Sequence, residues 1–130
     1  MLVQGDSMVP TYHSWEFVLL DKHKAEYQRG DVVAFRCEGV KSVLIKRIAA
    51  VPGDTVTIQG GVLLVNGEKE SPAPETQPGD TPLPLTLGPG EYFVLGDNRA
   101  QSKDSRCQIV GTVNAEDILG RAIPNKNLKA

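Results

Sequence analysis

Short runs of aliphatic residues, broken every few positions by Gly, Pro, Asn and Asp, dominate the 130-residue chain. That spacing predicts strands and turns, not long helices. Residues 16–20 read as a strand, and Arg29-Gly30-Asp31 turns the chain into a second at 32–35. A third strand at 43–48 ends at Pro52-Gly53-Asp54, where proline presets φ and glycine supplies a positive φ. Strands at 55–58 and 62–65 flank Gln59-Gly60-Gly61, a strong hairpin signal, and Asn66-Gly67 offers the next turn. Residues 71–90 hold six prolines, which exclude a helix or a central strand, so this stretch reads as a Pro/Gly-rich surface loop without chemistry of its own. A strand at 91–95 runs into Gly96-Asp97-Asn98. Asn114 is placed to cap a single helical turn at 115–119, stopped by Gly120, and 121–123 forms a closing strand. The fold expected is mainly β, with antiparallel sheets and one short helix.

Composition narrows the function. The length fits one domain. A net charge of −2 with interspersed signs leaves no basic stripe, so nucleic acid is not an expected partner. No apolar run approaches the roughly 18–20 residues of a membrane span, and no signal peptide is visible, which predicts that the chain as given is soluble. Cys37 and Cys107 lie far apart with no C-x-x-C spacing, which argues against zinc. They are either free thiols or one long-range disulfide, and free thiols are the preferred reading.

Three runs carry candidate chemistry. In Gly5-Asp6-Ser7-Met8-Val9-Pro10-Thr11 a small nucleophile stands at a strand-to-turn junction. A serine hydroxyl needs a neighbour to take its proton, and His13 and His23 lie in polar, turn-like sequence. Lys46 is the alternative base. Strand alternation sets Lys46 on one face with Leu44 and Ile48, with Ile45 and Arg47 on the other. If that face is core, burial lowers the lysine pKa from its usual ~10.4 and makes the amine a base. If the face is exposed, Lys46 is an ordinary surface lysine. The third run, from Gly96 to Arg106, is dense in hydrogen-bonding groups. It is either a polar surface loop or a support in which Ser102 orients the lysine and Asp104 and Arg106 form a stiffening pair.

Taken in order, these runs resemble the boxes of the type I signal peptidase family. Gly5 to Thr11 is similar to its nucleophile box, Arg29-Gly30-Asp31-Val32-Val33-Ala34-Phe35 to its next structural box, and Ile45-Lys46-Arg47-Ile48 with Pro52-Gly53-Asp54 to its base-bearing box. Gly96-Asp97-Asn98 through Ser102, Asp104, Ser105 and Arg106 resembles the last, so the likeness runs from about residue 3 to residue 123. It implies a signal-peptidase-like β domain, a fold shared with self-cleaving repressor domains, acting as one catalytic unit over 1–130. It implies Ser7 as nucleophile, Lys46 as general base and Ser102 as the hydroxyl that positions the lysine. Asp104 and Arg106 would be the supporting ion pair, with Asp97 and Arg99 holding the loop.

The resemblance further implies no metal and no cofactor. Its substrates would be the signal peptides of exported preproteins, met at the membrane surface on the extracytoplasmic side. Met8, Leu44 and Ile45 are the candidates to line shallow pockets that admit small residues in an Ala-x-Ala pattern. The family's N-terminal anchor is not seen in this sequence, which suggests a removed upstream segment. Gly5 stands where some members carry a serine or threonine, so the Ser7 backbone N–H is the expected oxyanion donor. Two rivals stay open: a Ser–Lys self-cleaving repressor-type peptidase, and a catalytically inactive β-sheet module that binds peptides.

Overall fold

A computed structural model describes residues 1–23, 26–71 and 74–124. Its strands, in chain order, are β1 (Leu20–Asp21), β2 (Val32–Cys37), β3 (Val40–Ala50), β4 (Thr55–Gln59) and β5 (Val62–Val65), then β6 (Glu68–Lys69), β7 (Leu85–Thr86), β8 (Glu91–Leu95), β9 (Val113–Asn114) and β10 (Ile118–Ala122). They form a six-stranded sheet in the order β1-β10-β2-β3-β8-β9 and a four-stranded sheet in the order β6-β5-β4-β7. Every neighbouring pair is antiparallel, so the expected mainly-β architecture is observed.

The 11-residue β3 organises the molecule. Its first half pairs with β2, setting Leu44 opposite Phe35 and Lys46 opposite Val33. Its second half also takes β8, with Arg47 opposite Leu95 and Ile48 opposite Val94. A register shift between Ile48 and Ala50 disturbs the ladder there, and the chain then turns towards the smaller sheet. Asp54 closes that turn by accepting the Val51 N–H at 2.9 Å, while Arg29 grips the same carboxylate through Nε at 3.0 Å and Nη2 at 2.9 Å. In the β4–β5 hairpin Gly60 and Gly61 have φ of 56° and 77°, the paired positive values that a type I′ turn demands.

Alternation on β8 distributes the core. Tyr92 and Val94 join Val33, Phe35 and Ile48 on one face, while Phe93 and Leu95 join Val56, Leu63 and Leu87 on the other. A third cluster of Val3, Met8, Tyr12, Val18, Val32 and Ile45 seats the N-terminal segment on the large sheet. The N-terminal segment and the smaller sheet are thus fixed to the same long ladder, and the candidate site forms between its elements.

Several local expectations change. Within 16–20, Phe17 meets Leu2 in an isolated bridge, and regular pairing begins at Leu20 against Ala122. Asn114 makes no side-chain cap, and Ala115–Asp117 is a 3-10 turn. Gly120 does not stop a helix. It lies inside β10, between β1 and β2, where pairing on both sides outweighs its weak strand propensity. The Pro-rich stretch, of which residues 72–73 lie outside the described residues, contributes β7 to the smaller sheet. Both cysteines are unpaired thiols, as preferred, and burial raises the pKa of Cys37.

Because Phe93 is fully buried where the smaller sheet packs on β8, Phe93→Ala should lower unfolding stability by about 3–5 kcal/mol in urea titrations. A loss below about 1 kcal/mol would mean that this contact does not hold the two sheets together.

Candidate active site

Ser7 sits in a tight turn. Gly5 enters it at φ +89°, a conformation that strains any L side chain, and its N–H donates to Ser14 Oγ at 3.0 Å. The turn closes through the Val9 N–H to the Asp6 carbonyl at 3.2 Å and the Tyr12 N–H to the Met8 carbonyl at 2.9 Å. The 96–98 segment clamps it from the other side. The Asn98 N–H donates to the Ser7 carbonyl at 2.8 Å, and its side-chain amide to the Asp6 carbonyl at 3.0 Å. Gly96 must lack a side chain here, because a Cβ would meet the Ser7 carbonyl oxygen at 2.6 Å and overlap Ser102.

Lys46 is 3% exposed, and its Nζ donates to Ser7 Oγ at 2.6 Å. Alternation does place it with Leu44 and Ile48; Ile48 belongs to the main core cluster and Leu44 packs against it. The lysine is therefore desolvated by its own strand. Burial pushes its pKa down from 10.5 to about 8; Arg106 adds to that effect and Asp104 opposes it. A lysine titrating there is partly uncharged at neutral pH, and an uncharged amine at this distance can accept the serine proton.

The cleft beside this pair follows from strand pairing. Strand β8 meets β3 from Arg47 onward, so residues 43–46 have β2 on one side and a hollow of about 420 Å³ on the other. Ser7, Lys46, Leu44, Ile45, Leu2 and Gln101 are among its lining. Met8 is not. It is 1% exposed in the cluster beneath the turn, and its sulfur accepts the Asp97 N–H at 3.4 Å. The residue after Ser7 thus packs into the core and anchors the turn.

The support loop is assembled around Asp104, which is fully buried. Its carboxylate accepts the Gly96 N–H at 3.1 Å and a two-pronged contact from Arg106, Nε at 2.8 Å and Nη2 at 2.9 Å. Two hydrogen bonds in parallel fix an arginine far better than one. Asp97 and Arg99 enter separate ion pairs, and Arg99 also bonds within the loop, donating to the Gly96 carbonyl and accepting Arg106 Nη2 at its own carbonyl at 2.8 Å. Asp97 receives Arg47 through Nε at 2.9 Å and Nη2 at 2.8 Å, and also the Thr11 hydroxyl. Arg99 grips Glu70 at 2.7 Å and 2.9 Å, Thr76 at 2.7 Å and the Gly96 carbonyl at 2.8 Å. Ser102 Oγ is buried and has no hydrogen-bond partner among the described residues, so the expected bond to the Lys46 amine is not made here.

Arg47, Glu70 and Thr11 were not singled out from the sequence. Arg47 carried a usable signal, since alternation sets it opposite Lys46 as a charge requiring a partner. Glu70, at the lip of the Pro-rich stretch, carried none. Among the described residues no group of three or more His, Cys, Asp or Glu side chains is placed to hold a metal ion.

Comparison with known proteins gives the family of the chain. The family described as Signal peptidase, peptidase S26 matches residues 1–124. Signal peptidase I P of Bacillus subtilis subsp. natto is 37% identical, over 92% of this chain and 71% of its own length. Signal peptidase I S of Bacillus subtilis strain 168 is 38% identical, over 81% of this chain and 64% of its own. A solved signal peptidase I from Enterococcus faecalis V583 superimposes with a TM-score of 0.63 at 29% identity, covering 76% of this chain and 98% of that one. The chain belongs to the signal peptidase family, peptidase S26, and is a hydrolase of the serine peptidase class.

The Asp97–Arg47 pair generates a stability test. Burial alone would raise the Asp97 pKa, but the bonds from Arg47 and Thr11 outweigh it and hold the carboxyl below 3.8. A carboxyl lowered by folding stabilises the fold above its unfolded pKa, and that contribution fades as pH falls through the folded value. Asp97→Asn should therefore unfold at a lower temperature than wild type near neutral pH, and the gap should narrow as pH falls through the acid range where the carboxyl protonates in the folded protein. A gap that persists unchanged into acid would show that the carboxylate charge contributes nothing.

Proposed function

We propose that the protein removes N-terminal signal peptides from exported preproteins, with Ser7 as nucleophile and Lys46 as its general base. The observation that carries this reading is the 2.6 Å contact between Ser7 Oγ and the Nζ of a lysine only 3% exposed. Uncharged Lys46 takes the hydroxyl proton as the oxygen attacks the scissile carbonyl. The resulting ammonium gives that proton to the departing amine, leaving an acyl ester on Ser7. Lys46, neutral again, then takes a proton from the water that attacks the ester and returns it to the departing Ser7 oxygen, which restores the resting pair. The Ser7 N–H, without an acceptor among the described residues, is the oxyanion donor we assign. Ser102, whose buried oxygen is otherwise unsatisfied, keeps its assigned role as a partner for the Lys46 amine during turnover.

The open edge of β3 at 43–46 suits an extended substrate, which would add to it as a further strand. Leu44 and Ile45 would then border the side-chain pockets, consistent with small residues in an Ala-x-Ala pattern. The signal peptidase names of the relatives support this substrate class. They also weigh against the self-cleaving repressor reading, while the dyad contact weighs against an inactive peptide-binding module.

Among the described residues no helix is long and apolar enough to cross a membrane. Yet Trp15, Phe17 and Leu19 are 69%, 77% and 52% exposed, and Phe17 bridges to Leu2, which lines the cleft. Exposed large apolar side chains beside a cleft mark an interaction surface, and we assign these to the outer face of the membrane where preproteins emerge. Replacing Trp15 and Phe17 by serine should weaken binding to anionic lipid vesicles at least about tenfold. Unchanged co-sedimentation with vesicles would refute the assignment.

The decisive assay is cleavage of a separate signal-peptide substrate across pH. For wild type kcat/KM should rise about tenfold per pH unit and level off near pH 8, where Lys46 titrates. Ser7→Ala and Lys46→Ala should each lose at least about 10³-fold. Substantial turnover by Lys46→Ala, or binding of the peptide by wild type without turnover, would end this reading.

A further inference from the structure

The Pro-rich stretch that looked idle in sequence is laced to the support loop through its backbone. The Arg106 guanidinium donates Nη1 to the Gln77 carbonyl at 3.1 Å, and the Arg106 carbonyl accepts the Thr81 N–H at 2.9 Å. The Thr81 hydroxyl donates to the Ser105 carbonyl at 2.7 Å. Between them Gly79 lies so close that a Cβ would overlap the Arg106 carbonyl oxygen and come within 2.9 Å of its carbon. Both are backbone atoms and cannot swing aside. Further along, the Gln108 N–H donates to Asp80 Oδ1 at 2.8 Å and its side-chain amide to the Asp80 carbonyl at 2.7 Å. Arg106 is thus held from two directions, by Asp104 inside the support loop and by this strap outside it.

We propose that residues 74–81 are a positioning strap of the catalytic centre, in which Gln77, Gly79 and Thr81 fix Arg106 on Asp104 and so set the balance of charge that faces Lys46. The logic is electrostatic. Asp104 favours the charged form of Lys46 and Arg106 disfavours it. A well-seated Arg106 cancels much of the carboxylate's field, whereas a displaced one leaves it bare. Loosening the strap also admits water beside the lysine. Both changes act in one direction, towards a more basic and more often protonated Lys46.

The charged and titratable groups around this joint are few. Asp104 lies within the loop. Arg99, itself paired with Glu70, sits across a small hollow together with Glu75 and Cys107, and Asp6 and Ser7 face Lys46 from the nucleophile turn. None of these is altered by changes at Gly79 or Thr81, so such variants isolate the strap. The argument rests on the proposed Ser7–Lys46 reaction for its effect on turnover, but not for its effect on the amine.

The test compares wild type with Thr81→Val, Gly79→Ala and, as a control elsewhere in the smaller sheet, Thr86→Val, which loses the exposed Thr55–Thr86 hydroxyl contact. Two profiles are taken against pH: kcat/KM on a signal-peptide substrate, and the rate at which trace acetic anhydride acetylates Lys46, read by mass spectrometry. The second reports ionisation of the amine whether or not the enzyme turns over. Thr81→Val and Gly79→Ala should move both profiles alkaline by about half a unit or more, cutting kcat/KM near pH 7 at least about threefold while sparing it at high pH. Thr86→Val should match wild type. If Gly79→Ala fails to fold, Thr81→Val decides alone. An acetylation profile that does not move in a folded strap variant overturns the proposal, and so does a turnover loss equal at every pH. A shifted acetylation profile beside an unshifted turnover profile would keep the strap and reject Lys46 as the base.

Discussion

One desolvated amine organises this protein. Lys46 lies in a core strand with aliphatic residues before and after it on its own face, and its Nζ has exchanged water for the Ser7 hydroxyl within the opposed fields of Asp104 and Arg106. Holding a lysine whose pKa has fallen from 10.5 to about 8 costs roughly 3 kcal/mol of folding stability at neutral pH. The sign follows from linkage: the unfolded chain binds the proton more tightly, so the penalty is complete below the folded pKa and vanishes above the unfolded one. A fold of this size keeps such a group only if the rest of the core tolerates the loss. The three apolar clusters and the arginine–carboxylate pairs around the site supply that tolerance.

The sheet geometry makes the arrangement possible. Strand β3 passes from a two-strand neighbourhood to a three-strand one at Arg47. Lys46 stands at that transition, buried by β2 and the core yet adjacent to the open edge that borders the hollow. Arg47, on the opposite face, ties β3 to Asp97 and thereby to the segment that clamps the Ser7 turn. Adjacent residues of one strand thus serve two faces, one carrying the reactive amine and the other the clamp.

Much of this was legible in the sequence because it is local. The strands at 62–65 and 91–95 coincide with their observed bounds, and the glycines of the β4–β5 hairpin sit where a positive φ is needed. Strand β3 was read short, at 43–48, because Lys41 and Ser42 at its exposed end break the alternation that marks a buried strand. The two-residue strands β1, β6, β7 and β9 are too brief for any periodicity. At the site, Ser7 and Lys46 stand in strings that announce themselves, but the identity of each arginine's partner is decided by tertiary approach. Asp97 and Arg99 are neighbours in sequence and belong to different ion pairs. Met8 shows the same dependence on tertiary approach: it neighbours Ser7 in sequence, and the turn packs it into the core beneath. The strap was invisible because its contacts run largely through backbone carbonyls and N–H groups, on which side-chain patterns are silent.

The most direct measurement is a heteronuclear NMR titration of the Lys46 side chain in the resting wild-type protein, following its Cε and Nζ resonances from neutral to strongly alkaline pH. The account predicts a midpoint near 8. A midpoint at the ordinary 10.5 would show an amine in water-like surroundings and would contradict it.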